Sequence, residues 1–530
     1  MPKRMRSVRV LFYADMEAII PHCVAAAEML RCQLGAHIIM TVLDRGTYID
    51  RAFKDYELYD HKSLFQLSNW LIAVKSVSAG NASDDGSANA GAGAGGNASA
   101  DATKDSGADP DSGAEARRRV ELLGLRKVLS RSDTLRKIYA TLRRPQSLLR
   151  RIPAARSIGQ ALRYFYRGLC IRRFLRATRP DIIILAEDNV ERFSTTFINE
   201  GRKRGIPSII IPFTIPNPLE PAKAYRNQRR NQVRGPLAWL VSSLYPKWRF
   251  QLDGQDLLRL PAFSALVLEM LGQSSPAPWI LNRGGAARIV LDSEALRDVY
   301  LTLGFPPAQL SVVGDVNGEI LQQGLIHKPR LLADLVAKHG FQPGRPLLLC
   351  GFPPDQFGGK TDDFEFPNYE ALIEGWIESF RALGDRANVL VRPHPRAAMN
   401  QFEAFRSPNV SFTWQPTAEL IPLCDLYVAS ISATIRWAIS CGIPVINYDA
   451  YRYRYGDYDK AAGVIRTESL TDFRGHLARF VNDPSFAADL AERQRGEMQY
   501  WGVADDRLAE RFAAVVSEVI EGNSSASSVS

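Results

Sequence analysis

Cysteine, histidine and long apolar runs are all scarce in this chain. Its six cysteines, Cys23, Cys32, Cys170, Cys350, Cys424 and Cys441, include no Cys-x-x-Cys pair. Structural zinc and disulfide stapling are therefore excluded, and small core residues in a reducing compartment are expected. No stretch approaches the roughly 18 to 20 apolar residues that a membrane-spanning helix needs. The basic start, Met-Pro-Lys-Arg-Met-Arg-Ser, leads straight into a short strand and not into a secretory apolar core, so a cytoplasmic location is expected. No Asp-x-Asp pair stands at a strand end; Asp457-Tyr-Asp459 comes nearest and falls in a tyrosine-rich loop, so no metal is expected. Nucleic acid is not an expected partner, because no recognition motif accompanies the basic residues.

The chain has 530 residues, 46% hydrophobic and 23% charged, enough for two full α/β domains. Its net charge of +9 is regional. Residues 116–180 hold nineteen Lys and Arg against two acids, a local +17 that leaves the rest at −8. Two readings stand for that region: a surface for anionic membrane at the inner leaflet, or solvated helices covering the first sheet. Just before it, residues 79–114 are mostly Gly, Ala, Ser, Asn and Asp. Such a segment buries too little apolar surface to offset its ordering entropy, which predicts a disordered insertion.

Short apolar runs mark parallel strands at residues 8–13, 36–43, 181–186 and 206–211. The loop after the first carries Asp15 and Glu17, either a cleft-facing carboxylate or a helix cap. The third ends in Glu187-Asp188-Asn189. Two carboxylates at a strand's carboxyl end are candidates for a general base, and one of them is expected to cap the next helix instead. Residues 220–278 show no clear pattern. A second α/β unit is expected to begin at residues 287–291 and to continue through strands at 311–314 and 346–350.

Chemistry concentrates between residues 389 and 459. Residues 389–391 form a strand pattern, and Pro393 and Pro395 hold Arg392, His394 and Arg396 at its carboxyl end, where open α/β sheets bind ligands. With guanidinium groups on both sides, His394 is expected to be a neutral hydrogen-bond donor. A second strand at 426–429 runs into Ser430, Ser432 and Thr434, and then into a helix that stops at Gly442 before Pro444. The hydroxyls and the helix's amino end suit a phosphate, although a Ser/Thr cluster there is also an ordinary cap.

The order Val-Val-Gly-Asp, Arg-Pro-His-Pro, Asp-Leu-Tyr-Val-Ala-Ser-Ile-Ser-Ala-Thr and Gly-Ile-Pro-Val-Ile-Asn resembles GT-B-fold bacterial surface and capsule polysaccharide glycosyltransferases, and the related UDP-N-acetylglucosamine 2-epimerases. The resemblance covers residues 287–464; the first half matches only by its alternating pattern. It implies two facing Rossmann-like domains, at 1–278 and 279–480, with closing helices over 481–521; the Ser-rich end at 522–530 is expected to be a disordered tail. It further implies sugar transfer from a nucleotide-activated donor, a substrate and not a cofactor, to a growing glycan or lipid-linked acceptor. His394, Pro395, Ser430 and Ser432 would hold the nucleotide phosphate, with Arg392, Arg396 and Thr434 beside them, and Glu187 or Asp188 would be the base. Trp437 stands where UDP-using members typically carry a ribose-binding Glu, so another pyrimidine nucleotide is favoured. An epimerase, or a non-catalytic assembly protein on the same fold, are the alternative expectations.

Overall fold

The computed structural model describes residues 7–14, 19–42, 56–60, 64, 153–357, 364–394, 397, 400–502 and 507–528. Asp15, Glu17, Pro395, Arg396, the low-complexity segment 79–114 and the basic stretch 116–152 lie outside the described residues. By compactness the chain divides into residues 1–77 with 164–530, and residues 78–163. Of the latter only the start of the helix Pro153–Thr178 is described.

Two fully parallel sheets organise the larger unit. The first contains β1 (Arg9–Tyr13), β2 (His37–Val42), β3 (Glu57–Asp60), β4 (Ile182–Leu185), β5 (Ser208–Ile210), β8 (Arg288–Leu291) and β9 (Leu310–Val312), in the order β3-β2-β1-β4-β5-β8-β9. The second contains β10 (Leu347–Gly351), β11 (Asn388–Arg392), β12 (Val410–Phe412), β13 (Leu426–Ala429), β14 (Val445–Tyr448) and β15 (Val464–Thr467), ordered β12-β11-β10-β13-β14-β15. Between β5 and β8 the antiparallel hairpin β6 (Arg249–Leu252) and β7 (Gln255–Leu258) is inserted. The central strands are apolar throughout because helices cover both faces; Ile182, Ile183, Ile184, Leu185, Val389, Leu390 and Val391 are all fully buried. Both sheets follow the same doubly wound order, reversing direction between β1 and β4 and between β10 and β13. This is the GT-B architecture expected from the sequence.

Two placements differ from expectation, the strands β8 and β9 and the end of the chain. The strands at 288–291 and 310–312, expected to open the second domain, extend the first sheet through Ile209↔Arg288 and Ile289↔Leu310. An apolar strand can add to any open edge, and β5 supplies one. The closing helices expected over 481–521 number two. Pro484–Trp501 packs on the helix Ile435–Ser440, and Leu508–Ser528 returns to the first helix, Ile20–Leu34. There Phe512 and Val516 are buried in the first core. The last helix also runs on through Ser528, past the expected start of a disordered tail, since extending a formed helix costs far less than nucleating one.

Along the helix Pro153–Thr178, Cys170, Ile171, Phe174 and Leu175 are buried, and Arg172 pairs with the buried Glu200 at 3.2 Å. This end of the basic region covers the first sheet.

Candidate functional site

The carboxyl edge of the second sheet is a row set by strand register. Arg392 of β11 pairs with Gly351 of β10, Gly351 with Ala429 of β13, and Ala429 with Asn447 of β14. Arg392 is half-buried; its Nη1 donates to the Pro393 carbonyl at 3.1 Å and its Nε to the Gln415 carbonyl at 3.4 Å. Burial lowers its pKa from the usual guanidinium value. His394 follows, half-buried, its carbonyl accepting from the Ala397 amide at 2.8 Å to close a turn. Gly351 is required here: a Cβ would lie 2.3 Å from the Tyr427 hydroxyl, which crosses the strand at that point.

Beyond Ala429 the backbone is strained. Ile431 has φ 44°, a left-handed conformation that is unfavourable for a β-branched residue. It is held there by its amide donating to Asn447 Oδ1 at 2.9 Å. The preceding Ser430 Oγ is buried with no hydrogen-bond partner among the described residues. Ser432 and Thr434 are engaged differently. Their hydroxyls meet at 2.8 Å, Thr434 Oγ1 meets the Tyr427 hydroxyl at 2.6 Å, and the Tyr458 hydroxyl donates to the Ser432 carbonyl at 2.9 Å. The helix that follows, Ile435–Ser440, spans six residues with no side-chain cap, so it contributes little of the aligned dipole expected of it. The anion-friendly groups at this corner are Ser430, Arg392 and His394.

The first sheet has the equivalent corner after β4. Asp188 is buried; Thr195 Oγ1 donates to its Oδ1 at 2.5 Å, and the Gly284 amide also donates to it. A Cβ on Gly284 would fall 1.7 Å from Asp188 Oδ2, so only glycine fits. Asp188 also exchanges backbone bonds with Asn282, its amide donating to Asn282 Oδ1 at 2.8 Å and its carbonyl accepting from the Asn282 amide at 3.1 Å. Burial pushes its carboxyl up to about 6 against the opposing bonds from Thr195 and Gly284. Asp188 thus braces the loop 282–285. Glu187, also buried, meets Asn189 Nδ2 at 3.5 Å and Arg192 Nε at 3.8 Å among its contacts.

Sequence reasoning missed a buried charged cluster between the sheets. Arg436, 3% exposed, reaches Asp292 at 2.9 Å, Asp315 at 3.6 Å and the Phe213 carbonyl at 3.3 Å. Trp437 Nε1 donates to Asp315 Oδ2 at 2.7 Å, so Trp437 is a strut to the first sheet. One guanidinium cannot neutralise two buried carboxylates. Burial raises both, but Arg436, His22, Asn317 and Trp437 together hold Asp315 low, whereas Asp292 is left above its usual range. Nearby His22 Nε2 meets the Ile211 carbonyl at 3.2 Å, and burial lowers its pKa to about 4. A lone Arg in the apolar run Thr-Ile-Arg-Trp-Ala-Ile was the one available signal. The cluster lines a cavity of about 60 Å³ with Leu321 and Trp501, far below the roughly 300 Å³ of a small-molecule pocket.

The tyrosine loop joins the first sheet's insertion to the second sheet. Asp449 accepts from the amides of Tyr453 and Arg454 at 2.9 and 2.6 Å, shaping a turn with positive φ at Arg452 and Arg454. Lys223 bonds the Tyr453 carbonyl, and Asn217 Nδ2 donates to Asp457 Oδ1 at 2.9 Å. Asp459 pairs with Arg466 at 2.7 Å. Among the described residues no group of three or more His, Cys, Asp or Glu is arranged to hold a metal, and no helix is long and apolar enough to cross a membrane.

No family model matches the chain, and no curated protein does. Solved structures do. A histidine-to-asparagine variant of the wall teichoic acid polymerase TagF, soaked with CDPG, covers 97% of this chain and 90% of its own, with TM-score 0.50 at 7% identity. The glycotransferase of kitacinnamycin covers 97% and 100% with TM-score 0.47 at 14% identity. The UDP-GlcNAc 2-epimerase from Neisseria meningitidis, bound to UDP-GlcNAc, covers 98% and 100% with TM-score 0.45 at 10% identity. At such identities the likeness is one of fold.

Proposed function

We propose that this chain transfers a sugar from a nucleotide-activated donor to a growing surface glycan or lipid-linked acceptor, with the donor's phosphate at the β10–β13 corner. The observation that carries the reading is the buried, unpartnered Ser430 hydroxyl beside the strained Ile431, in the row that holds Arg392. Strain and an unengaged polar group are both costly, and they persist together where a ligand completes the site. The acceptor hydroxyl would attack the sugar's anomeric carbon while Glu187 takes its proton. The bond to the phosphate oxygen breaks, and Arg392, His394 and Ser430 meet the charge left on the departing nucleotide. Asp188, already engaged by Thr195 and Gly284, would position the loop and not the proton. Ser432 and Thr434, bonded to each other and to Tyr427, would shape the loop around the phosphate, Pro395 and Arg396 lie outside the described residues, and no metal is invoked.

The test is a thermal-shift screen with CMP, CDP, UDP and GDP. A bound nucleotide at about one hundred times its dissociation constant stabilises by about 2.7 kcal/mol. Nucleotide release from a panel of pyrimidine donors, CDPG among them because it was soaked into TagF, then reads the chemistry. Conversion of a UDP-sugar with no acceptor present would identify an epimerase instead. A second reading, a non-catalytic assembly protein, is favoured by Trp437, which is tied to Asp315 where a ribose ligand is expected; a nucleotide that binds without turnover would support it.

A further inference from the structure

The insertion between β5 and β8 carries a helix whose outer face is covered by nothing among the described residues. Pro236–Leu244 reads Pro-Leu-Ala-Trp-Leu-Val-Ser-Ser-Leu, without one charged side chain. Ala238, Val241 and Ser242 face a small core around Trp248. On the other side Trp239 is 65% exposed, Leu244 60%, Leu240 42% and Leu237 39%. Met270, ending the helix packed against this one, is 76% exposed. A monomeric protein seldom presents so many large apolar side chains from one short helix to water.

The charge around the helix identifies what covers it. From residue 226 to 249 the chain holds Arg226, Arg229, Arg230, Arg234, Lys247 and Arg249 and not one Asp or Glu. Arg226, Lys247 and Arg249 are paired with Asp253, Glu269 and Asp256. Arg229, Arg230 and Arg234 are exposed, directly before the helix, with no acidic partner among the described residues. A Trp and three Leu flanked by unpaired Arg match the interfacial zone of an anionic bilayer, where the rings and aliphatic chains enter the acyl boundary and guanidinium groups meet lipid phosphates.

We infer that this face docks the protein on anionic lipid. It goes beyond the sugar-transfer reading and stands without it, since docking needs no donor. It adds a membrane contact outside residues 116–180. The module is fastened to the loop that follows β4: Val190 belongs to its core, and Arg259 bonds Glu191 and, at 3.3 Å, Asn189 Oδ1. Docking therefore sets the carboxylate corner of the first sheet beside the lipid surface.

Vesicle flotation of the full chain tests this without any nucleotide. The wild type is expected to float with vesicles of phosphatidylglycerol and phosphatidylcholine, to stay behind with phosphatidylcholine alone, and to detach as salt is raised from about 0.05 M to about 0.5 M. Trp239→Ser with Leu240→Ser should lower partitioning at least tenfold with little change in melting temperature, because Trp239 is mostly exposed and Leu240 partly so. Arg229→Gln with Arg230→Gln and Arg234→Gln should abolish the preference for anionic lipid. Wild-type flotation by both variants would assign the binding to another surface and overturn the inference, as would a wild type that ignores both vesicles. A dimer in sedimentation that Trp239→Ser dissociates would overturn it in favour of a second copy of this chain.

Discussion

Two corners of this molecule are built on the same strand order and have opposite polar inventories. After β4, Asp188, Thr195, Asn282 and the Gly284 amide satisfy one another. After β13, Ser430 Oγ has no partner among the described residues and Ile431 is strained. Topology alone makes both corners eligible for a ligand. Polar satisfaction separates them: around Asp188 the groups are engaged and brace the loop, whereas the unengaged hydroxyl and the strain after β13 are what support the proposed phosphate site.

The largest effect that would break this contrast is catalytic. His394→Ala and Arg392→Ala should each lower kcat/KM of the proposed transfer by about 100-fold or more, equivalent to about 3 kcal/mol, with melting temperatures near wild type. Turnover retained in both variants would remove the second-sheet corner from the reaction. Of similar size but on stability is Arg436→Met, which strands two buried carboxylates and should cost about 3 to 5 kcal/mol in denaturant unfolding. An unchanged midpoint would show the cluster to be solvated.

The pH dependence sharpens the contrast further. Asp188 has its folded pKa raised to about 6, so its contribution is present at low pH and is lost as pH rises through about 6. His22 has its folded pKa lowered to about 4, so its contribution is present above the unfolded value and is lost as pH falls toward 4. Each is worth roughly 3 kcal/mol, and the two oppose each other across the same window. The two groups together should therefore add little net slope to the stability profile between about pH 4 and pH 6.5. Asp188→Asn should unmask a loss toward acid, and His22→Gln a loss toward neutral pH; parallel profiles for all three proteins would contradict these environments.

The smallest effects form a matched pair. Ser430→Ala removes a buried hydroxyl with no partner, so stability should hold or rise by about 1 kcal/mol while nucleotide affinity falls about tenfold. Thr195→Val removes a donor to a buried carboxyl and should cost about 1 to 3 kcal/mol of stability with nucleotide affinity unchanged. Unfolding midpoints and nucleotide titrations on both variants decide it, and the same response in both would erase the distinction between the corners.

Continuous apolar runs made β1, β2, β4, β11 and β13 legible, because a strand covered on both faces needs no polar alternation. The prolines after β11 and the Gly-x-Pro turn before β14 likewise marked where chemistry could stand. Residues 220–278 were not legible, since their helices and hairpin are short and pack around Trp248 and Trp279 instead of repeating a pattern. Arg436 was equally hidden, as its partners Asp292 and Asp315 lie more than a hundred residues earlier. By itself, then, the sequence determined the central strands β1, β2, β4, β10, β11 and β13, their ends and the residues standing there, because those follow from local periodicity and from Gly and Pro. Only the tertiary structure decided which sheet took β8 and β9, and which of the polar groups at the two corners were already engaged. A hydrogen-bond partner such as Gly284 for Asp188, or Asp315 for Trp437, is supplied by a distant segment that folding alone brings within reach.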